Sequence, residues 1–268
     1  MSAPAETIAA LRRRLADLAG ETAPGAGLAG PKVALGPAGL DDYLGGGLPR
    51  AALHEVFAAQ APDGAAAAGF VLGLLLRAVP PGQPSVWVRQ SYGVRELGAA
   101  YPPGLMEMGV DPADLVMVRL RRPVAVLRAA AEALRCGALG MVVLEIWGTP
   151  RVLDLTATRR LGLAAGRSGV PACLLRIGAE PAASAALTRW SVRAAASMPL
   201  AADAPGHPAF DVSLLRHRAG IAGRTWRVEW NRDACEFHEP APLSRGVASF
   251  PADRPAAPDA AGAWRRTG

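Results

Sequence analysis

The sequence predicts an α/β fold in which a mostly parallel β-sheet is flanked by helices. One observation is that apolar runs such as MVVLEIW, residues 141–147, are continuous rather than alternating, as in strands that are buried on both faces. Another is that helix-like segments separate these runs, which is typical of a parallel sheet. With 51% hydrophobic and 19% charged residues, the 268-residue chain also has the composition of a globular protein with a large core.

The first predicted element is an amphipathic helix over residues 5–19, with an apolar stripe formed by Ile8, Leu11, Leu15 and Leu18. A lone helix of this length is marginal in water, so we expect the stripe to mediate self-association or docking on a RecA-like partner. A glycine- and proline-rich link completes this segment, 1–31. Its GAGLAG motif follows no strand and therefore does not predict a dinucleotide site.

A core domain is predicted over residues 32–240. Its strands are predicted at 51–58, 85–90, 115–120, 141–147 and 171–177, and its helices at 65–79, 103–108, 124–136 and 152–168. Three later strands, at 191–196, 211–216 and 225–230, have no helices between them and are predicted to extend the sheet as antiparallel hairpins. Residues 241–268 lack periodicity, which predicts a flexible tail.

The segment HEVFAAQAPDGAAAAGF, residues 54–70, has the strand, turn and helix of a phosphate-binding loop. Gly64 and Gly69 have the GxxxxG spacing of such a loop. Phe70 and Val71 then stand where a lysine would neutralise the phosphates and a serine or threonine would hold Mg²⁺. Lys32, the only lysine in the chain, precedes the strand. This register therefore predicts that the loop does not bind phosphate.

Counting from the end of the strand gives a second register, which also lacks the lysine. Ala58 takes the first glycine position, Asp63 or Gly64 the second, and Ala65 or Ala66 the position of the lysine. Glu145 follows a hydrophobic run, as does the acid that holds Mg²⁺ in many ATPases. It is either a surviving metal ligand or, as we favour, a locally hydrogen-bonded acid. We expect no cofactor and no catalytic residue.

Composition restricts the remaining classes of function. Cys235 and His238 have the spacing of half a zinc site, but no second pair follows, so we predict no metal site. The apolar run 65–76 is too short to cross a bilayer, and no secretory leader is evident, so we expect a cytoplasmic protein. The formal net charge of +6 permits contact with nucleic acid without establishing it.

Two stretches resemble the RecA recombinase family. LGPAGLDDYLGGGLPRAALHEVFA, at 35–58, is similar to the approach to the ATP site, and AAEALRCGALGMVVLEIWGTP, at 130–150, is similar to the helix and strand that carry the Mg²⁺-binding acid. In this resemblance Gln90 stands where the family has its catalytic glutamate. The resemblance implies a RecA-like core with a degenerate nucleotide cleft comprising Ala58, Asp63, Gly64, Ala65, Gln90 and Glu145.

A narrower resemblance joins YPPGLMEMGVDPADLVMVR, at 101–119, LRHRAGIAGRTWRVEWN, at 215–231, and the missing lysine. Together they are similar to the ImuA family of RecA-like accessory proteins in bacterial mutagenic repair. This resemblance implies a non-catalytic adaptor in translesion synthesis during the SOS response. Its partners would be an ImuB-like homologue of Y-family polymerases, with RecA as a further candidate, and, indirectly, an error-prone replicative-type polymerase. A nucleotide-dependent RecA-like ATPase and a direct DNA-binding repair protein are the alternatives.

Arginines beside aromatic residues form the remaining candidate site. Arg224, Arg227 and Arg232 surround two tryptophans, an arrangement that suits protein interfaces and single-stranded DNA alike. Strand alternation predicts a polar face with Thr225, Arg227 and Glu229 at an open sheet edge. We expect this edge and the tail to contact the ImuB-like partner. The tail residues predicted to contribute are Trp264, Arg265 and Arg266.

Overall fold

The computed structural model describes residues 30–199, 202, 204–218 and 222–240. Two predicted sites lie outside the described residues. One is the amino-terminal stripe of Ile8, Leu11, Leu15 and Leu18, and the other is the tail site of Trp264, Arg265 and Arg266.

The first half of the described chain contains the strands and helices that surround the predicted cleft. In order, these are β1 (Lys32–Val33), α1 (Ala38–Tyr43), β2 (Leu48–Pro49), β3 (Leu53–Ala58), a 3₁₀ turn (Ala61–Asp63), α2 (Gly64–Ala78), β4 (Ser85–Gln90), α3 (Ser91–Leu97), α4 (Pro102–Met108), a second 3₁₀ turn (Pro112–Asp114) and β5 (Leu115–Leu120).

The second half completes the sheet. In order, its elements are α5 (Pro123–Ala133), β6 (Val142–Trp147), α6 (Leu155–Ser168), β7 (Ala172–Ile177), β8 (Thr188–Ala195), β9 (Ala209–His217), β10 (Arg224–Asn231) and β11 (Glu236–His238). Asp154 begins α6 by accepting a hydrogen bond from Ala157 N, and Gly169 ends it in the left-handed conformation.

Nine strands of the described chain form one sheet, in the order β11-β10-β9-β8-β3-β7-β6-β4-β5. The six strands from β8 to β5 are parallel, and β9, β10 and β11 are antiparallel. The mostly parallel sheet with antiparallel carboxy-terminal strands is confirmed. The prediction for the first late strand is wrong in one respect, because β8 pairs parallel with β3. The chain between β7 and β8 passes over β3 without a helix.

The sheet has a packed layer on each face. On one face, α2 packs on the central strands through Phe70, Val71 and Leu74, and Phe70 contacts the rings of Trp190 and Phe210. On the other face, α5 and α6 cover an aliphatic cluster. Both faces of the parallel strands are therefore buried, which explains their continuous apolar sequences.

The segment Ala61–Ala78 has the length and hydropathy of a membrane-crossing helix, and half of it is buried in the fold. Its helix, α2, packs on β3, β7 and β8. This contact with three strands is the position of a core helix in a layered α/β protein.

The edge of the sheet differs from the predicted one. The last strand is β11, and it pairs with β10 from Glu229 to Asn231. Glu229 is buried, and its carboxylate accepts a hydrogen bond from Met198 N and lies 3.3 Å from His238 Nε2. The prediction that Glu229 belongs to an exposed polar face is therefore wrong, because β11 and the chain near Met198 cover it. Val228 is buried, as strand alternation predicts for the opposite face.

Candidate functional site

The turn between β3 and α2, where a phosphate-binding loop would lie, is closed by Asp63. One carboxylate oxygen of Asp63 accepts a hydrogen bond from Gln60 N at 3.1 Å, and the other accepts one from Ala194 N at 3.0 Å. This side chain therefore ties the turn to β8. A helix amino terminus ordinarily attracts anions through its unpaired N–H groups. Here a carboxylate already lies beside it, and it would repel a phosphate.

Apolar side chains pack against the start of α2. A Cβ atom placed on Gly64 would lie 2.7 Å from Leu97 Cδ1 and 3.3 Å from Ile177 Cγ2. Gly64 has ordinary helical dihedral angles, so close packing rather than backbone conformation explains this glycine. Leu97 closes α3 and Ile177 ends β7, so two elements converge on the place where phosphates would approach the helix. The space beside the start of α2 is therefore apolar and is occupied by the side chains of Leu97 and Ile177.

Glu145, the candidate Mg²⁺ ligand, lies in a buried ion pair with Arg89. Arg89 donates from Nε to Oε2 at 2.7 Å and from Nη2 to Oε1 at 2.9 Å, and Trp87 Nε1 also donates to Oε2 at 3.0 Å. Gly93 allows α3 to approach, because a Cβ atom there would lie 3.0 Å from Oε1. Both oxygens are thus bound by protein donors, and the local charge is neutralised. This geometry fits the locally hydrogen-bonded acid that the sequence favoured.

Gln90, which the RecA resemblance aligns with a catalytic glutamate, is also bound by protein. Its Oε1 accepts a hydrogen bond from the main-chain N–H of Trp147 at 3.1 Å. The ring of Trp147 contacts Tyr92 edge to face, with centroids 5.4 Å apart, and lies against Gly178. The amide therefore joins the ends of β4 and β6. Lys32 is held elsewhere, where its Nζ donates to the carbonyl oxygen of Gly45.

The predicted cleft residues do not share one open site. Asp63 and Gly64 form the closed turn, Ala58 is buried at the end of β3, and Gln90 joins two strands. Ala65 and Glu145 line a separate cavity of about 400 Å³ between α2, α4, β4 and β5. The cavity walls are mainly apolar, with the Arg89–Glu145 pair as their charged component. The other lining residues are Ala68, Gly69, Leu72, Trp87, Leu97, Gly98, Ala99, Ala100, Tyr101, Gly104, Leu105, Met108, Leu115 and Met117.

Sequence reasoning missed Arg89, although its signal is visible. A charged residue inside the apolar strand VWVRQ must find a buried partner, and Glu145 in VVLEIW has the same requirement. The same signal marks a second buried cluster on the opposite face of the sheet. There Glu55 binds Arg176 at 3.2 Å and Arg189 at 2.9 Å, and burial lowers the pKa of Arg176.

The three carboxy-terminal arginines do not form one cluster of free charges. The guanidinium carbon of Arg224 lies over two rings, 5.4 Å from the centre of the Tyr43 ring and 5.3 Å from the centre of the Trp226 ring. Arg227 forms a bidentate ion pair with Asp211, at 2.8 and 3.0 Å, and this partner raises the pKa of its guanidinium. The third arginine, Arg232, has its Nη1 atom 4.0 Å from Oε2 of the exposed Glu107. Their positive charge is therefore partly offset within the protein.

Among the described residues, no group of three or more His, Cys, Asp or Glu side chains is placed to hold a metal ion. No protein-family model matches the chain. Two relatives, each named Protein ImuA, come from two strains of Caulobacter vibrioides, NA1000 / CB15N and ATCC 19089 / CIP 103742 / CB 15. Each is 33% identical over 208 residues, which cover 72% of this chain and 81% of the relative. The chain belongs to the ImuA family.

The fold comparison agrees with a RecA-like core in this ImuA-family chain. The crystal structure of the RadB recombinase matches with a TM-score of 0.51, covering 77% of this chain and 99% of RadB. At 16% identity this match establishes the fold alone. The relatives thus show the family of this chain, and the structural match shows its RecA-like fold.

Proposed function

We propose that this ImuA-family protein is a non-catalytic adaptor of a bacterial mutagenic translesion synthesis complex. The observation that carries the proposal is the bidentate Arg89–Glu145 pair, which engages both oxygens of the acid that the RecA resemblance assigns to Mg²⁺ binding. An ATPase needs cations that neutralise the phosphates and carboxylates that hold the metal. In this cleft the carboxylate is neutralised by protein, and the start of α2 faces Leu97. Both features favour a scaffold over an ATPase.

Family membership supports the biological setting of the proposal. The relatives of this chain are named Protein ImuA, and the resemblance to that family implies a role in the mutagenic response to DNA damage. We infer that the partner is an ImuB-like homologue of Y-family polymerases and that RecA is a second partner. The error-prone polymerase would then be reached through the ImuB-like protein. We place this assembly in the cytoplasm, where the chromosome is repaired.

Nucleotide binding is the first test. Calorimetric titration of the full chain with ATP and Mg²⁺ should give no measurable heat of binding, and ATP hydrolysis should equal that of a protein-free control. A RecA-type ATPase treated in the same way supplies the positive control. Micromolar affinity for ATP would refute the non-catalytic role and favour the nucleotide-dependent alternative.

Partner binding is the second test. A purified ImuB-like protein should be recovered by the full chain in a pull-down with purified components. A chain ending at Pro240 and the variant Arg227→Glu test the predicted tail and strand, and Arg159→Glu on the distant helix α6 is the charge-matched control. Equal recovery by all four proteins would exclude both predicted surfaces. Binding of labelled single-stranded DNA by the full chain alone would favour direct DNA binding.

A further inference from the structure

The carboxyl ends of β6, β4 and β5 lie apart from the closed turn that follows β3. These three strands are adjacent and parallel, so the segments that leave them emerge side by side. Gln90 Oε1 and Trp147 N, at the ends of β4 and β6, are 3.1 Å apart. We call the exposed part of residues 91–101, 121–124 and 148–155 the carboxyl-end surface. In open α/β sheets, ligands bind at this end of the strands.

Apolar side chains are exposed on the carboxyl-end surface. Tyr92, in α3, is 45% exposed, and its ring lies edge to face with Trp147 at 5.4 Å between centroids. Val152 and Leu155, before and at the start of α6, are 42% and 52% exposed, and Val124, in the first turn of α5, is 37% exposed. Helices α5 and α6 contact each other, and both begin at this end because each follows a parallel strand. Exposed apolar residues grouped in this way are typical of a surface that another protein covers.

The same surface is basic. It contains four arginines and two acids, which is a formal excess of two positive charges. The arginines are exposed, and none of their side chains forms an ion pair or donates a hydrogen bond to another described residue. One of the two carboxylates is already engaged, because it caps α6 by accepting a hydrogen bond from Ala157 N. The positive charge is therefore available to a partner. The arginines are Arg95, Arg121, Arg122 and Arg151, and the acids are Glu96 and the capping Asp154.

The mixture of charge and aliphatic side chains indicates the class of partner. A nucleic-acid backbone would pair with the arginines but would leave Val152 and Leu155 facing phosphates. The carboxylates of a protein can pair with arginine bidentately, while its apolar side chains cover the aliphatic and tyrosine groups. The ends of this chain do not supply the acids, since residues 1–29 contain three arginines and three acids, and residues 241–268 contain four arginines and two aspartates. Another protein that presents acidic and apolar residues together complements the surface best.

We propose that the carboxyl-end surface binds the folded, acidic face of another protein. Tyr92, Val152 and Leu155 provide the apolar contacts, and the four arginines pair with carboxylates beside them. Three separate segments of the chain form the surface, so the contact is made by side chains of loops and helix starts and not by a strand edge. Four strands separate β6 from β10 in the sheet order, so this contact requires neither the proposed adaptor role nor an ImuB-like partner.

A displayed library of small helical-bundle proteins with one randomised face, selected on the immobilised full chain, is the probe. Selected faces should combine aspartates or glutamates with apolar or aromatic residues. Arg121→Glu/Arg122→Glu should weaken their binding at least ~10-fold, because each reversal places like charges opposite one another. Arg167→Glu/Arg216→Glu, an equal change of charge on exposed arginines in the last turn of α6 and in β9, is the matched control and should bind normally.

A second variant separates a protein partner from a nucleic acid. Leu155→Arg adds a positive charge, so it would strengthen a purely electrostatic contact with single-stranded DNA. It should instead weaken the selected binders at least ~10-fold, because it removes a central apolar contact. Leu215→Arg, at a 39% exposed leucine of β9, is the matched control and should leave their binding unchanged. Hydrogen–deuterium exchange on the natural chain should slow in residues 91–97 and 148–155 when a selected binder is added.

Several outcomes would overturn the inference. They are a selection that enriches nothing, equal binding by Arg121→Glu/Arg122→Glu or by Leu155→Arg, and protection confined to β5 or β10. Binding of labelled single-stranded DNA that is lost on the same charge reversal and strengthened by Leu155→Arg would assign the surface to nucleic acid. Self-association that rises with concentration and is lost in Leu155→Arg would assign it to a second copy of this chain. Either assignment excludes the acidic protein partner.

Discussion

Removing the charge of Glu145 should destabilise the fold strongly. In Glu145→Gln the neutral amide can no longer neutralise Arg89, whose Nε and Nη2 lie 2.7 and 2.9 Å from the carboxylate in the natural protein. Both side chains are buried, so the guanidinium would keep its charge without a counterion. Breaking a buried pair in this way costs about 3–5 kcal/mol.

Replacing both partners should cost much less. In the double variant Arg89→Met/Glu145→Leu no charge is buried, and such exchanges of a buried ion pair for apolar side chains are often neutral or stabilising. Trp87 Nε1 would lose its acceptor, which at about 1–3 kcal/mol is the main remaining cost. The single variants Arg89→Met and Glu145→Leu and this double variant therefore form a thermodynamic cycle in which strong coupling is expected.

Urea denaturation followed by circular dichroism measures these differences. With an m value of about 2–3 kcal/mol/M, the midpoint for Glu145→Gln should fall by roughly 1–2 M. An unchanged midpoint for Glu145→Gln would refute the reasoning, because the carboxylate would then not be neutralising Arg89. A rise in the natural protein's midpoint on adding Mg²⁺, absent in Glu145→Gln, would instead show that Glu145 binds the metal.

Three further predictions concern other parts of the sheet. Burial lowers the pKa of His54 from 6.5 to about 4. The unfolded chain therefore binds the proton first, so the free energy of unfolding should fall from pH 6.5 towards pH 4, and His54→Gln should lose that dependence in pH-dependent urea titrations. In Gly73→Ala the new methyl carbon would lie 2.3 Å from the ring of Phe237, and thermal unfolding should report a loss of about 1–3 kcal/mol, whereas Gly69→Ala, with its nearest contact at 3.4 Å, should be neutral or stabilising. Arg227→Ala breaks an exposed ion pair with a neighbouring strand and should change stability by less than about 1 kcal/mol in the same measurement, with a larger loss contradicting the exposed geometry.

The parallel core was predictable because burial on both faces leaves a direct mark in the sequence. Runs such as VVLEIW have no polar alternation, and only a strand covered on both sides tolerates this. Short helices and strands gave a weaker pattern in the sequence. Helix α1, of six residues, and strand β11, of three, are fixed by tertiary contacts, as when Asp41 accepts hydrogen bonds from Leu35 N and Gly36 N ahead of α1.

The direction of β8 could not be read from its sequence. A strand without a preceding helix ordinarily follows its neighbour as a hairpin. Here residues between β7 and β8 cross β3 without a helix, and the register His54↔Thr188 is supported by side chains distant in sequence. His54 Nδ1 lies 2.7 Å from Thr188 Oγ1, and Thr188 Oγ1 also accepts from Trp190 Nε1 at 2.8 Å.

The sequence showed which residues the candidate site lacks, but it did not show which side chains contact one another there. The lack of a lysine after Gly64 was visible in the sequence, but the residues that fill the cleft come from elsewhere. Leu97 belongs to a helix of seven residues, which is too short to give a clear periodicity in the sequence. The pairing of Arg89 with Glu145 joins positions that are 56 residues apart. Periodicity has no information on which two buried charges will meet.

The position of β3 has a consequence for synthesis on the ribosome. It emerges early, yet both of its neighbours in the sheet come late, since Leu53 pairs with Ala172 and His54 with Thr188. At about 5–20 residues per second, roughly 6–24 seconds separate β3 from its first partner. During that interval the nascent chain carries an apolar strand that cannot yet be paired on either side. Translation that pauses before residue 172 should therefore lengthen its dependence on chaperones.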